Sequence, residues 1–293
     1  MSREIHLEPV LDDKSAAKLA GALLDDTSYK ILVDYDADVY DKESGKVLAK
    51  FRKNVIPANM AKTAYDNLKK AAGSTKNRTI ASSERGKFLQ KKDGTISNTP
   101  RVKPVESGII GYFDRTVRTP YCRQTAFNKN EFDKFKKAYG IIKFVDNQYK
   151  ELMPDEYKLQ RDVADETAQD FVIKDTAFTT VTVNKNWQTA VHTDKGDFEK
   201  GFGNLVVLRE GRYEGGYFVI PQWGVAFDMQ NCDLLLCDVH QWHGNTPITK
   251  IDEKATRISL VMYYRQNMTN CGTATEEQEI AKQREIRSGA SLY

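Results

Sequence analysis

The sequence predicts an α+β fold whose core is a double-stranded β-helix, the jelly roll. Short apolar segments, rich in β-branched and aromatic residues and separated by turn residues, follow one another through the second half of the chain. Strands spaced in this way are typical of an all-β sandwich or jelly roll. Histidine and aspartate residues lie between and after these segments, which points to a site at the mouth of the core. The predicted core strands are 177–183, 204–208, 215–221, 232–238 and 257–264.

The first half of the chain predicts an N-terminal helical elaboration that braces this core. Apolar spacing favours short helices, and residues 73–107 are polar, basic and rich in turn formers, which predicts a long loop. The predicted elements ahead of the core are a helix over 14–24, a strand over 29–33, a turn over 36–45, a helix over 58–72 and a strand over 107–113.

Two further helical regions are predicted around the core. Residues 130–170 have apolar positions at helical spacing with an interruption at Pro154, and a charged helix is predicted over 275–290. The chain has no internal repeat and no linker. We therefore expect 1–293 to form a single domain, with N-terminal helices and a basic loop region in 1–106 and the jelly-roll core and C-terminal helix in 107–293.

Composition excludes several classes of protein. No apolar run reaches membrane-spanning length and the N-terminus lacks a secretory pattern, so we expect an intracellular protein of the cytoplasm or nucleus, with no membrane partner. The four cysteines lack the paired spacing of a zinc site. Cys232 and Cys237 flank a predicted core strand and are expected to be small buried residues rather than a disulfide. A reducing setting fits these features, and no obligate protein partner is evident.

Positive charge is concentrated in one part of the chain. The net charge is only +3, yet residues 46–143 contain 23 Lys or Arg against 7 Asp or Glu. A one-sided basic block favours a polyanionic partner, most simply nucleic acid, over a merely solvated surface. The densest cluster consists of Lys76, Arg78, Arg85, Lys87, Lys91, Lys92, Arg101 and Lys103.

A metal site is predicted from His192 and Asp194. Side chains two residues apart on an extended segment project to the same side, and a second histidine from a later strand completes a face of two histidines and one carboxylate. This face suits ferrous iron and leaves three positions open for a co-substrate and O2. Two histidines, His240 and His243, compete for the second place. We favour His243, because the turn Gly244–Pro247 presents it at the end of its strand, and expect His240 to orient a ligand.

Arg257 lies fourteen residues beyond His243, on another apolar strand. A guanidinium there can hold a distal carboxylate in a two-pronged contact. The set of His192, Asp194, His243 and Arg257 therefore predicts an iron(II)- and 2-oxoglutarate-dependent oxygenase, and the single domain is then the catalytic one.

Four blocks in this half of the chain resemble the TET/JBP family, dioxygenases that oxidise the 5-methyl group of pyrimidines in DNA. The resemblance is clear over 177–267, looser over 107–127 and absent before residue 75, and it is to the compact, free-standing members. The blocks are His192-Thr193-Asp194-Lys195-Gly196-Asp197, Gly215-Gly216-Tyr217-Phe218-Val219-Ile220-Pro221, His243-Gly244-Asn245-Thr246-Pro247 and Thr256-Arg257-Ile258-Ser259-Leu260-Val261-Met262-Tyr263-Tyr264.

The resemblance implies a role for each of these residues. His192, Asp194 and His243 would hold iron, Arg257 would hold 2-oxoglutarate, and Asp197 and the residue at 265 would read a base flipped out of the duplex. Position 265 is a histidine in the cytosine enzymes and Arg265 here, which leaves the base open between 5-methylcytosine and thymine.

The block around Arg257 favours 5-methylcytosine, oxidised to 5-hydroxymethylcytosine, as the substrate. Arg123 is a candidate second contact to 2-oxoglutarate or DNA. The basic residues Lys76, Arg78, Arg85, Lys87, Arg101 and Lys103 would contact DNA phosphates. The alternatives are a thymine hydroxylase acting on DNA, and an oxygenase acting on a protein, a nucleoside or a small molecule.

Overall fold

A computed structural model of the chain describes residues 2–288, and for residues 84–87, 98, 100 and 285–288 it describes the backbone only. Among the described residues, no helix is long and apolar enough to cross a membrane. The helices are α1 (Asp13–Ala17), α2 (Ala58–Leu68), α3 (Ala126–Asn130), α4 (Phe132–Lys137), α5 (Tyr139–Leu152), α6 (Pro154–Glu166) and α7 (Ala274–Ser288), with short 3-10 helices at Asp26–Ser28, Thr79–Ser82, Gln169–Phe171, Pro221–Trp223 and Gln266–Asn270.

Strands make up most of the remaining regular structure. They are β1 (Arg3–Leu7), β2 (Ile31–Val33), β3 (Ala37–Asp41), β4 (Val47–Arg52), β5 (Gly73–Thr75), β6 (Ser83–Gln90), β7 (Ile96–Val102), β8 (Val105–Phe113), β9 (Arg123–Gln124), β10 (Thr180–Lys185), β11 (Gly203–Glu210), β12 (Tyr213–Gly215), β13 (Phe218–Ile220), β14 (Val225–Phe227), β15 (Leu234–Cys237), β16 (Gly244–Asn245), β17 (Ile248–Lys250) and β18 (Thr256–Tyr263).

Two facing sheets form the core. The larger has the order β1-β3-β4-β15-β11-β18-β10-β8-β5, with β9 paired to β8, and the smaller has the order β16-β13-β14-β2. At the centre, β11 pairs antiparallel with both β15 and β18. This is the jelly-roll core that the sequence predicts, and all five predicted core segments contain strands.

The alternation of side chains along the large sheet separates two apolar cores. On β11, Leu205 and Val207 pack with Phe218 and Phe227 between the two sheets. The intervening Val206 and Leu208 face the opposite side and pack with the helices. This alternation follows from the period of two along a strand, so one eight-residue strand stabilises both layers at once.

The helix layer covers the outer face of the large sheet. The predicted helical region 130–170 is confirmed as α4 to α6, and Pro154 is the first residue of α6, where its missing N–H costs no helical hydrogen bond. The buried Asp146 of α5 ties this layer to the sheet, since its carboxylate accepts from the Ala177 N–H at 2.7 Å and from the Tyr157 hydroxyl at 2.9 Å. The predicted C-terminal helix is confirmed as α7.

The N-terminal half differs most from the sequence prediction. The predicted turn over 36–45 is confirmed only at 42–44, because residues 37–41 form β3. The predicted loop over 73–107 is also wrong, since it contains β5, the hairpin of β6 and β7, and the start of β8. N-terminal helices are a minor part of this region. Its strands extend the two sheets of the core instead, β4 beside β15 and β2 beside β14. The assignment of 1–293 to a single domain stays a prediction.

A disulfide joins Cys122 to Cys271, with the two Cα atoms 5.7 Å apart across a separation of 149 residues. The sequence analysis did not predict this pair, and a disulfide does not accord with the expected reducing setting. Beside it the buried Glu277 of α7 accepts from the Cys122 N–H and pairs with Arg115, which docks the C-terminal helix. Cys232 and Cys237 are buried and unpaired, as predicted.

Replacing both Cys122 and Cys271 with serine should lower the free energy of unfolding by about 2–4 kcal/mol, because the crosslink restricts the unfolded chain. Denaturant unfolding under non-reducing conditions measures this difference. As the control, a reductant should destabilise the wild-type chain and leave the double variant unchanged. Equal stability of the wild type with and without reductant would contradict the crosslink.

Candidate active site

A cavity of about 490 Å³ opens between the two sheets at the end where β18 and β10 meet the segment after β15. Residues from both halves of the chain line it. The polar and aromatic residues in its wall include Asn77, Arg78, Thr182, Asn184, Trp187, His192, Asp194, Asp197, Phe218, Trp242, His243, Asn245, Arg257, Ser259, Tyr263 and Arg265.

Backbone pairing brings His192 and His243 together although 51 positions separate them in the sequence. The N–H of each residue donates to the carbonyl of the other at 2.9 Å, which makes an isolated antiparallel bridge. Residues opposite each other in such a pair present their side chains on the same face. The absence of a side chain at Gly244 permits this approach, since a Cβ there would lie 3.0 Å from the Thr189 carbonyl oxygen.

Three donor groups converge on one point of this face. The Nε2 atoms of His192 and His243 lie 3.7 Å and 3.6 Å from the two carboxylate oxygens of Asp194. Each histidine uses Nδ1 for a backbone carbonyl, His192 with Ala190 at 2.8 Å and His243 with Gln241 at 2.9 Å. These contacts fix the ring orientation and leave both Nε2 atoms free for a metal.

The electrostatics of the donor set favour the forms that bind a metal. Burial, and then the neighbouring His243, lower the pKa of His192 to about 4. Burial alone would raise the pKa of Asp194, but its hydrogen bond with His243 and the charge of His192 outweigh that effect and lower it to about 2. At neutral pH the site therefore presents an uncharged His192 imidazole and an ionised carboxylate, as metal ligation requires.

His240, the competing histidine, does not join this group. Its Nε2 lies 3.1 Å from the Phe198 carbonyl oxygen, and its backbone N–H donates to Asp238. Among the described residues, the group of donors close enough to share an ion is His192, Asp194 and His243. His240 therefore braces the segment that contains Phe198, one residue after Asp197.

Two unpaired N–H donors lie in the wall of the same cavity. Arg257 is 5% exposed, its Nε has no hydrogen-bond partner, and its Nη2 lies 3.5 Å from the Gly216 carbonyl oxygen. The buried Nε1 of Trp187 also has no partner. An unpaired buried donor is costly unless a ligand satisfies it. A carboxylate of 2-oxoglutarate fits the positive charge of Arg257 and the unpaired N–H donors in this wall, so the residues present suit this co-substrate.

A second group lies on the other side of the metal face. Asp197 and Arg265 form an isolated antiparallel bridge, flanked by hydrogen bonds from the Phe198 N–H and the Gln266 N–H. Burial, and then the nearby Asp194 carboxylate, raise the pKa of Asp197 well above its usual range. These two residues, assigned to base reading by resemblance, therefore lie side by side in the cavity wall.

The guanidinium of Arg265 is held from outside the cavity. Its Nε and Nη2 lie 3.0 Å and 2.9 Å from the same oxygen of the buried Asp114, and it stacks at 4.1 Å from the centre of the Phe113 ring. Arg123 stacks on the same ring at 4.8 Å and donates to the Asp114 carbonyl. It does not line the cavity, so the structure does not bring Arg123 to the co-substrate.

The basic residues predicted to contact DNA fall into three groups. Arg78 lines the cavity, where its Nε donates to the Ser107 hydroxyl at 2.7 Å and its Nη2 donates to the Gly108 carbonyl at 3.0 Å. Lys76 and Arg101 are exposed, and Lys103 is half-buried beside a smaller neighbouring pocket. The side chains of Arg85 and Lys87 lie outside the described part of the structure.

Sequence reasoning did not identify two parts of this wall. Trp187 lies only two residues beyond β10, yet an isolated tryptophan has no distinguishing sequence pattern. The segment 77–81 lines the cavity from the opposite half of the chain because the Ala190 N–H donates to the Ala81 carbonyl at 2.8 Å. This long-range pairing leaves no local signal in the sequence. Within this segment only Arg78 was predicted, from the basic composition of the region.

Fold and site together define the class: a jelly roll with two histidines, one carboxylate and a buried arginine is the architecture of an iron(II)- and 2-oxoglutarate-dependent oxygenase. Comparison with known proteins agrees with this class. The model of the Tet_JBP family, described as the oxygenase domain of the 2OGFeDO superfamily, matches residues 108–266. The chain belongs to this family, whose superfamily uses iron(II), 2-oxoglutarate and O2.

Relatives with a known activity are thymine dioxygenases of trypanosomes. Thymine dioxygenase JBP1 of Trypanosoma brucei brucei is 40% identical over 165 residues, which cover 54% of this chain and 19% of that protein. Thymine dioxygenase JBP1-A of Trypanosoma cruzi (strain CL Brener) is 33% identical over 263 residues, which cover 88% of this chain and 29% of that protein. The chain thus spans less than a third of the length of either relative.

The fold is also similar to a solved structure, NgTET1 in complex with 5mC DNA. The TM-score is 0.59 with 13% sequence identity, and the match covers 93% of this chain and 100% of that chain. At this identity the likeness concerns the fold. It accords with the double-stranded β-helix predicted from the strand pattern.

Substitution of His243 and substitution of His240 should differ in their effect on iron content. His243→Ala should abolish stoichiometric iron binding, because it removes one of three converging donors, whereas the matched variant His240→Ala should retain it. Anaerobic loading with ferrous salt, desalting and elemental analysis measure the iron content. Loss of iron in His240→Ala alone would overturn the assignment.

Proposed function

We propose that this chain is the catalytic domain of an iron(II)- and 2-oxoglutarate-dependent dioxygenase that hydroxylates the 5-methyl group of thymine in DNA. The observation that supports the proposal most strongly is the convergence of three metal donors in one cavity with Arg257, whose Nε has no hydrogen-bond partner. The reaction consumes thymine, 2-oxoglutarate and O2 and yields 5-hydroxymethyluracil, succinate and CO2.

The chain's own residues divide the cavity into a co-substrate side and a substrate side. Ferrous iron, held by His192, Asp194 and His243, supplies with O2 and 2-oxoglutarate the oxidising power that converts a C–H bond into C–OH. Arg257 orients 2-oxoglutarate by a charge-assisted contact to its distal carboxylate. The Trp187 indole N–H donates a further hydrogen bond to the co-substrate.

The substrate side has one acceptor and one donor for a pyrimidine edge. The carboxyl group of Asp197 has an oxygen that accepts, and the guanidinium of Arg265 only donates. Thymine offers its N3–H between two carbonyl oxygens, so Asp197 takes the N3–H and Arg265 donates to a carbonyl. The base must leave the stack to reach the cavity, because the metal face lies between two sheets. Trp242, Phe218 and Tyr263 line the cavity and restrict access of water to the reacting methyl group.

The identity of the pyrimidine is where this proposal departs from the sequence analysis. The sequence favoured 5-methylcytosine, and Asp197 could also accept a hydrogen bond from the exocyclic amine of that base. The curated relatives are thymine dioxygenases, which favours the thymine alternative. The similar solved structure holds 5mC DNA, but its 13% identity supports the fold and not the base.

Two matched duplexes decide between the bases. One contains thymine and unmethylated cytosine, and the other replaces thymine by uracil and cytosine by 5-methylcytosine, so each has methyl groups on one kind of base only. With iron and 2-oxoglutarate, we expect 5-hydroxymethyluracil from the first duplex and equimolar succinate, measured by mass spectrometry of nucleosides and of succinate.

The variant Asp194→Ala serves as the control and should give no oxidised base and no DNA-dependent succinate. Product from the 5-methylcytosine duplex alone would overturn the thymine proposal. Succinate formation with a small molecule or protein substrate, and none with either duplex, would overturn DNA as the substrate.

The affinity for 2-oxoglutarate should distinguish the roles of Arg257, Trp187 and Arg123. Arg257→Ala should weaken binding of 2-oxoglutarate by about 100-fold, because a charge-assisted pair is lost, and Trp187→Phe by roughly two- to tenfold, because one neutral hydrogen bond is lost. Calorimetric titration of the manganese-loaded chain measures both.

Arg123→Ala is the matched control and should bind 2-oxoglutarate as tightly as the wild type, since Arg123 does not line the cavity. A loss of affinity in Arg123→Ala with none in Arg257→Ala would reverse the assignment of the co-substrate anchor.

A further inference from the structure

The hairpin of β6 and β7 stands apart from both sheets of the core. Over the described residues, these strands pair with each other and with no other strand. A tight turn closes the hairpin, in which the Lys91 N–H donates to the Thr95 carbonyl and Gly94 adopts a positive φ of 86°. The result is a two-stranded ribbon, with β6 extending roughly 25 Å by the rise of eight strand residues.

The end of this ribbon nearest the core adjoins the wall of the catalytic cavity. Residues 77–81 line the cavity, and β6 begins at Ser83, immediately after them. The Lys103 N–H closes the base by donating to the Ser82 carbonyl at 3.0 Å, and the Ser83 hydroxyl donates to the Gly21 carbonyl at 3.0 Å. The ribbon therefore projects from the rim of the site at which a flipped base would enter.

Apolar side chains near the turn are about half exposed or more. Phe88 is 49% exposed, Leu89 is 47% exposed and Ile96 is 73% exposed. A two-stranded ribbon has no core of its own and gains little by displaying such residues to water. Successive strand residues point to opposite faces, so Phe88 and Leu89 make both faces of the hairpin apolar near its turn, and with Ile96 they indicate a surface that a partner covers.

Charge identifies the kind of partner. Residues 83–103 contain six Lys or Arg against two acidic residues, and Lys91 and Lys92 lie exposed at the turn. A partner that covers this ribbon must be anionic and must also offer less polar surface between its charges. Duplex DNA meets both conditions, since phosphates line its grooves and base edges and sugars form their walls, and its major groove admits a two-stranded ribbon.

We propose that the β6–β7 hairpin docks in a groove of duplex DNA next to the thymine that enters the cavity. Lys91 and Lys92 contact phosphates, and the apolar residues on the two faces of the hairpin, Phe88, Leu89 and Ile96, lie against the two sides of the groove. This inference rests on the proposed function and adds the element that engages the duplex outside the reacting nucleotide.

Two hairpin variants test the docking. Phe88→Ser/Ile96→Ser should weaken binding to a fluorescein-labelled duplex by about tenfold or more, because both side chains lose their cover on DNA. Lys91→Gln/Lys92→Gln should reduce the slope of log affinity against log salt by about 1–2, since each phosphate contact contributes about 0.9. Fluorescence anisotropy with the full chain, iron and N-oxalylglycine under nitrogen measures both.

Matched controls lie elsewhere on the surface. Val117→Ser changes an apolar residue that is fully exposed outside the hairpin, and Lys150→Gln/Lys174→Gln changes two exposed lysines of the helical side. Both should bind duplex as the wild type does. All variants should keep the wild-type affinity for 2-oxoglutarate, which establishes that their cores are folded. The loss in the hairpin variants should be larger for duplex than for single-stranded DNA, because only the duplex has a groove.

The outcomes separate this inference from the proposed function. If the wild type oxidises thymine in the duplex while both hairpin variants match it in affinity and salt slope, the docking inference is overturned alone. If the wild-type chain neither binds nor oxidises DNA, the proposed function is overturned, and the docking inference with it.

Discussion

The catalytic centre depends on one reciprocal pair of backbone hydrogen bonds, between His192 and His243. Both bonds are 2.9 Å, and they hold two distant segments in register so that their imidazoles face the same way. The jelly roll makes this possible because its antiparallel strands return repeatedly to the same end of the sandwich. A register shift of one residue would turn either imidazole to the opposite face and leave Asp194 without partners.

Different parts of the fold form the two sides of the cavity around this pair. The co-substrate side is built on the central sheet, where Arg257 lies on β18 and Trp187 follows β10. The side proposed to hold the substrate is assembled from irregular segments, with Asp197 and Arg265 paired beyond the strand ends and residues 77–81 closing the wall. Under the proposed function, regular strands hold the co-substrate, while the substrate meets connections that can vary without disturbing the sheets.

Sequence reasoning succeeded where the stabilising interactions are local and failed where they join distant residues. Core strands and the helices 130–166 were predictable because hydrophobic periodicity is a local signal, and Pro154 marks a helix start by its own geometry. The metal donors were predictable because His192 and Asp194 lie two residues apart.

The failures involve distant partners. Strand β3 has few local indications, but pairing with β1 and β4 stabilises it. The hairpin over 83–102 was not predicted because its composition is polar. A ribbon outside the core needs no buried apolar face. The disulfide spans 149 residues, and the unpaired indole of Trp187 is significant only in the context of its cavity.

The clamp on Arg265 has a consequence for substitutions at that position. Its partner, the carboxylate of Asp114, is buried and takes two contacts from the guanidinium. Exchange of Arg265 alone for an uncharged residue would remove both contacts from a buried acid, which is costly. Positions 114 and 265 should therefore tolerate change together more readily than singly, so they form one coupled pair at the cavity wall.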